Sequence, residues 1–153
     1  MGPTGSARIV QIHPTRKCNL SCLHCYSQSS PRERGALDIK LLCEAVTVAA
    51  IEGYNTVSLS GGEPLLYAPL RELLQHARAC GMRTTVTTNG MLLTPRNIER
   101  LRDVVDVLAI SVDGVPASHN RIRGNALAFD TMQARLADVR TAQRRHREAA
   151  TLQ

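Results

Sequence analysis

Four times along this chain a short β-like run closes in a small polar motif and gives way to another segment, and that order narrows the possible folds more than any other feature. The first run, Arg8 to His13, carries Ile9, Val10 and Ile12 and leads into a cysteine-bearing loop. The second, Thr56 to Ser60, ends in Gly61-Gly62-Glu63-Pro64. The third, Arg83 to Thr87, ends in Thr88-Asn89-Gly90, and the fourth, Val107 to Val112, runs through Ser111 to Asp113-Gly114. Between them lie stretches with apolar residues at helical spacing. Asp38 to Gly53 carries Leu41, Leu42, Ala45, Val46, Ala49 and Ala50, with Asp38 suited to cap its start and Gly53 its end. Pro69 to Cys80 puts Leu70, Leu73, Leu74 and Ala77 on one face ahead of Gly81. Thr94-Pro95 opens a third helix with Ile98, Leu101 and Val105 inward, and Phe129, Met132, Leu136 and Val139 mark a last stripe. Strands alternating with helices predict an α/β fold with a parallel sheet and right-handed crossovers. In such sheets the loops at the carboxyl ends of the strands carry the chemistry, and all four motifs fall there.

The first loop holds Cys18-Asn-Leu-Ser-Cys22-Leu-His-Cys25, three cysteines in eight residues. A cubane iron–sulfur cluster takes four thiolates, one per iron, so three leave one iron with an open position. An open iron can bind and activate a small molecule, whereas a fully ligated cluster mainly passes electrons. A turn-rich loop lets three side chains converge on one cubane. Zinc is a second reading, with His24 or His13 as fourth ligand of a closed structural site. His24 is the direct neighbour of Cys25, however, and no second Cys-x-x-Cys follows. A disulfide framework fits less well, since the cysteines number five and nothing reads as a secretory signal. Cys43 and Cys80 fall in helical patterns and are expected to be small core residues.

The other motifs have two readings each. Gly61 and Gly62 lack Cβ atoms, so backbone there can approach a ligand closely, and the Glu63 carboxylate suits an ammonium group. Thr88 and Asn89 offer a hydroxyl and an amide ahead of Gly90. Ser111 and Asp113 alternate with apolar residues and point to one face, where a carboxylate suits ribose hydroxyls. The alternative for each is an ordinary strand-to-helix turn or a cap. Arg123 is either a forked donor to a carboxylate or a surface-loop arginine.

Composition bounds the rest. A length of 153 residues fits one domain with a real core, and 43% hydrophobic residues is ordinary for a soluble protein. No apolar run approaches the length that spans a bilayer. The net charge of +6 could favour nucleic acid, but Trp is absent and Phe occurs once. The excess gathers late, in Arg135, Arg140, Arg144, Arg145 and Arg147, and reads as a solvated helix face and tail. Reduced thiols argue for the cytoplasm.

Taken in order, the Cys-x3-Cys-x2-Cys loop, Ser-Gly-Gly-Glu-Pro, Thr-Thr-Asn-Gly and Ser-x-Asp-Gly resemble the radical S-adenosylmethionine (SAM) superfamily over about residues 8 to 142. The wording Cys-Asn-Leu-x-Cys-x-His-Cys-Tyr is similar to its peptide-modifying and cofactor-maturing branch. The resemblance implies a [4Fe–4S] cluster on Cys18, Cys22 and Cys25, with SAM chelated at the free iron. It implies that Gly61, Gly62 and Glu63 meet the SAM amino group, that Thr88 and Asn89 lie near its methionine and ribose, and that Ser111 and Asp113 serve the ribose. Arg123 would then pair with the SAM carboxylate, and His24, with Tyr26 beside it, would pack near adenine. Reductive cleavage of SAM to a 5′-deoxyadenosyl radical would abstract hydrogen from a peptide or small-molecule substrate, with a flavodoxin- or ferredoxin-type protein as electron donor.

The family's core resembles a partial parallel (βα) barrel of six strand–helix units, of which this sequence offers about four. Residues 1–7 are expected to be a flexible terminus, 8–142 the partial core and 143–153 a basic polar tail in which the last helix frays after Val139. The chain reads as truncated, with Val107–Val112 left as an open sheet edge. The alternative function is accordingly a catalytically incompetent cluster- and SAM-binding fragment that needs a partner or a missing second half.

Overall fold

The structure is a computed structural model that describes residues 6–151, so residues 1–5 of the expected flexible terminus and 152–153 of the expected tail lie outside the described residues. Four strands form one parallel sheet among the described residues: β1 (Ile9–Ile12), β2 (Thr56–Leu59), β3 (Arg83–Thr88) and β4 (Val107–Ile110), in spatial order β1-β2-β3-β4. Helices α1 (Ile39–Ile51), α2 (Leu70–Ala79) and α3 (Pro95–Leu101) are the crossovers, and α4 (Pro116–Arg123) and α5 (Ala128–Thr151) follow β4. This is the α/β partial barrel that the alternation predicts.

The two faces of the sheet differ because strand side chains alternate. Val10 pairs in register with Val57, Leu59 with Val86, and Val86 with Leu108. These residues turn toward the helices and join the core with Leu42, Val46, Leu70, Leu73 and Leu74. The opposite face carries a polar row, Gln11 beside Ser58 beside Thr85. It belongs to no apolar cluster and is the polar face of the sheet.

The helix ends obey local chemistry. Asp38 Oδ1 accepts from the N–H groups of Lys40 (2.9 Å) and Leu41 (3.2 Å), and Thr94 Oγ1 accepts from Asn97 N–H (3.3 Å), with Pro95 behind it. Four features depart from the sequence reading, the first being that α3 ends at Leu101, short of Val105. The fourth strand ends at Ile110 rather than Val112. A helix, α4, stands where none is predicted, entered through Pro116 and closed by Gly124 at φ 65°. The last helix continues to Thr151 instead of fraying after Val139. Its final turns are rich in Arg, Gln, Glu and Ala, which sustain a helix by intrinsic propensity where the apolar stripe has stopped. β4 pairs only with β3, so it is an open edge of the sheet among the described residues, and β1 is the other.

Candidate active site

The carboxyl ends of all four strands open on one cavity of about 340 Å³. Cys18, Cys22, His24, Cys25, Gly61, Gly62, Thr88, Asn89, Ser111, Asp113 and Arg123 all line it. Of the twelve residues singled out from the sequence, only Glu63 does not.

The cysteine loop is laid across the end of β2 by backbone contacts. Gly62 N–H donates to Thr15 O (3.0 Å) and Glu63 N–H to Lys17 O (2.9 Å). A Cβ at position 62 would run into the Lys17 carbonyl oxygen, and one at Gly61, where φ is 103°, would stand 2.7 Å from His13 Cβ. The two glycines thus serve an approach of backbone to the cysteine loop, beyond the expected approach to a ligand. The loop's far side is tied down by Leu23 N–H donating to Ile122 O of α4 (2.8 Å) and Cys18 N–H to Ser30 O (3.2 Å).

Each cysteine meets a donor. Asn89 Nδ2 reaches Cys18 Sγ at 3.9 Å, Arg123 Nη1 reaches Cys22 Sγ at 3.7 Å, and Ser29 N–H reaches Cys25 Sγ at 3.3 Å. Burial works against ionisation of Cys25, but hydrogen bonds from Ser27 and Ser29 outweigh it and hold the thiol below its ordinary range. Cys18 goes the other way, because its burial dominates. Donor-rich surroundings are what a thiolate-ligated cluster uses to hold charge. Among the described residues, no three His, Cys, Asp or Glu side chains close on a single ion position. The two histidines considered for zinc are engaged elsewhere: His13 with Tyr26 and Gln11, and His24 with Asp113 (3.2 Å).

Glu63 departs from its expected role. Its side chain is fully buried, and its carboxylate accepts from Leu65 N–H (3.1 Å), Thr88 Oγ1 (2.8 Å) and Asn89 N–H (3.0 Å). The carboxylate expected to greet an ammonium group instead bolts the end of β2 to the end of β3. Burial pushes its pKa up, against those three hydrogen bonds and the charge of Arg123.

Asp113 and Arg123 do face the cavity, and they meet each other. Arg123 Nε stands 2.6 Å from Asp113 Oδ2, yet neither atom has an aligned hydrogen bond. The charges are paired by proximity while the N–H axis misses the oxygen. Three residues that the sequence reading did not single out as site residues complete the support. Asn19 Oδ1 accepts from Asn89 Nδ2 (2.8 Å), Ser27 Oγ hydrogen-bonds Ser29 Oγ (2.8 Å) beside Cys25, and His119 Nδ1 accepts from Asp113 N–H (3.2 Å). Asn19 and Ser27 had a signal in their closeness to the cysteines. His119, on α4, is buried against Phe129 and had none.

The Radical SAM superfamily model matches residues 12–145. The chain is 34% identical over 124 residues to the Fe-coproporphyrin III synthase of Methanosarcina barkeri, covering 80% of this chain and 31% of the relative. It is 30% identical over 118 residues to the antilisterial bacteriocin subtilosin biosynthesis protein AlbA of Bacillus subtilis, covering 75% of this chain and 26% of that one. Among solved structures it resembles Streptococcus suis SuiB bound to S-adenosylmethionine, with TM-score 0.66 and 25% identity over 78% of this chain and 28% of SuiB. SuiB is also solved with its precursor peptide SuiA. The chain thus spans 26 to 31% of the length of these relatives.

Proposed function

The chain belongs to the radical SAM superfamily, whose members use a [4Fe–4S] cluster and SAM, and from that premise we propose that Cys18, Cys22 and Cys25 carry the cluster and the adjoining cavity takes SAM. The observation that supports this most is the meeting of three thiols with the ends of all four strands around one cavity. When bound, cluster and SAM together supply reductive cleavage of a sulfur–carbon bond and a carbon radical able to abstract hydrogen from a substrate.

The chain's own residues do the holding. Asn89, Arg123 and Ser29 give each thiolate a donor. Asp113, set by His119, offers a carboxylate to ribose hydroxyls and Ser111 adds a hydroxyl, whereas the Thr88 hydroxyl is held by Glu63. Arg123, whose pairing with Asp113 is unaligned, would serve as a forked donor to the SAM carboxylate. His24 lines the cavity in contact with Asp113, where it would pack near adenine. The Gly61–Gly62 backbone would hold the SAM amino group, since the Glu63 carboxylate is engaged by Leu65, Thr88 and Asn89.

Peptide modification is the favoured activity, with cofactor maturation second. The polar row Gln11, Ser58, Thr85 beside the cavity is uncharged, which suits hydrogen bonding to a peptide better than docking a polycarboxylate. A flavodoxin- or ferredoxin-type protein in the cytoplasm would supply electrons. The open edge of β4 supports a second reading, in which turnover needs further strand–helix units in cis or from a partner.

Anaerobic reconstitution tests the site. A brown chromophore and an electron paramagnetic resonance signal that shifts on adding SAM are expected, both lost in Cys18→Ala, Cys22→Ala or Cys25→Ala and kept in Cys43→Ala. Stoichiometric zinc without iron, or a spectrum blind to saturating SAM, would refute the assignment.

A further inference from the structure

The cysteine loop has two sides. Its inner side opens on the cavity, and its outer side is built from two backbone segments laid together. Thr15 pairs with Ala36 and Lys17 with Ser30 in isolated bridges, and Arg16 N–H donates to Gly35 O (3.4 Å). From residue 16 to residue 34 the one carboxylate is Glu33, set against Arg16, Lys17, Arg32 and Arg34. All four cations are exposed, and none of them lines the cavity. Arg16 stands 3.7 Å from Glu33 and donates to Gln28 O (3.4 Å), while Arg34 donates to Pro31 O (3.0 Å). The next carboxylate along the chain, Asp38, is engaged by the first N–H groups of α1. Four cations against one carboxylate leave this side strongly positive.

The layer between that charge and the thiols is thin. Ser29 N–H reaches Cys25 Sγ (3.3 Å), and Ser30 O accepts from Cys18 N–H (3.2 Å). The Ser29–Ser30 backbone thus touches the cysteine segments directly, while Lys17 is bridged to Ser30 and Arg32 follows two residues on. A shallow depression of about 460 Å³ beside it, lined in part by Pro14, Arg16, Ala36 and Leu37, sets apolar surface next to the charge.

We propose that this outer side, carried by Arg16, Lys17, Arg32 and Arg34, is the docking surface for an acidic one-electron carrier protein of the flavodoxin class. The inference rests on the cluster assigned above to Cys18, Cys22 and Cys25. SAM and substrate take the cavity side, so an electron enters from the other side, across the Ser29–Ser30 layer. The carrier loses one electron and the cluster gains it, with no bond made or broken. A positive patch steers an acidic protein toward this side and raises the encounter rate. A small, charged and shallow surface also gives the brief contact that lets a spent carrier leave. Nucleic acid fits less well, because Tyr26, the one Phe, Tyr or Trp of this stretch, lines the cavity and is not available among the cations for bases to stack on.

The test uses the intact chain after anaerobic reconstitution, with a bacterial flavodoxin as the probe. Calorimetry reads the binding of oxidised flavodoxin, and stopped flow reads the second-order rate of cluster reduction by its hydroquinone, each at low and high salt. Both are expected to weaken as salt screens the charges. Arg32→Glu combined with Arg34→Glu should lower affinity and rate constant by about tenfold. Arg140→Glu combined with Arg144→Glu, the same change of net charge placed on α5, should leave both near wild type. Equal losses in the two double variants would reduce the effect to net charge and overturn the docking surface. Absence of binding at low salt, or binding indifferent to salt, would overturn it too. So would a DNA duplex that binds more tightly than flavodoxin at physiological salt and is lost with Arg32→Glu and Arg34→Glu. Iron content and the SAM-dependent spectrum of the same samples report separately on the cluster, so a failed cluster assignment is told apart from a failed surface by the binding measurement.

Discussion

Glu63 and Asp113 are the same kind of group in matching places, a carboxylate just past the end of a strand, and the fold treats them in opposite ways. Glu63 is sealed, with protein donors to both oxygens. Asp113 is reachable from the cavity, held by His24 and by an arginine whose N–H does not line up with it. A carboxylate that has spent its acceptor capacity on the backbone fixes geometry. One held by exchangeable partners can answer a ligand. The difference teaches that a motif residue's chemistry depends on which of its atoms the surrounding loops leave free.

The sharpest way to break the comparison is Glu63→Ala. It strands buried donors on Leu65, Thr88 and Asn89 and opens a void, so a loss of about 3–5 kcal/mol in chemical denaturation is expected. A loss below about 1 kcal/mol would place Glu63 with Asp113 as a ligand group. The pH dependence carries a sign. Because the folded pKa of Glu63 is raised, the folded state holds its proton more tightly than the unfolded one. Its contribution to stability is therefore full below the unfolded value and lost as pH rises through the folded pKa. Glu63→Gln should flatten that fall in a stability–pH profile, while Asp113→Asn should leave it in place.

Next in size is Gly62→Ala. The added methyl group meets the Lys17 carbonyl, and displacing the cysteine loop should cost about 1–3 kcal/mol and lower iron content after reconstitution. Full iron loading with unchanged stability would mean that the loop rests on β2 more loosely than its hydrogen bonds imply. The smallest expected effect on stability, about 1 kcal/mol, belongs to Asp113→Asn, which keeps shape and removes charge from a mostly buried but unaligned pair. That variant should instead weaken the spectral response to SAM by about tenfold in apparent affinity, roughly one charge-assisted hydrogen bond. Greater loss of stability than of SAM response would reverse the assignment of the two carboxylates.

Much of this was legible in the residues alone. The cysteine spacing announced the thiol site, and the alternation of β-like runs with helical stripes placed four motifs at one end of a parallel sheet, because strand and helix periods are local properties. Asp38 and Thr94 cap helices for equally local reasons. Beyond that reach lay α4, whose polar sequence shows no stripe, and with it His119 and the burial of Arg123. Beyond it too lay the direction in which Glu63 points, because a carboxylate written after two glycines suits a ligand and a backbone donor equally well.

What the sequence by itself determined was the inventory and its order: three thiols with no fourth nearby, and polar motifs at the ends of four parallel strands. Those follow from residue type and periodicity. Only the tertiary structure decided which donors face inward. Asn89 turns its N–H to Glu63 and its side chain to Asn19 and Cys18. Arg123, 101 residues from Cys22, is brought into contact with it. Each of these pairings joins segments far apart in the chain, and no local preference can encode a partner that arrives only when the sheet closes.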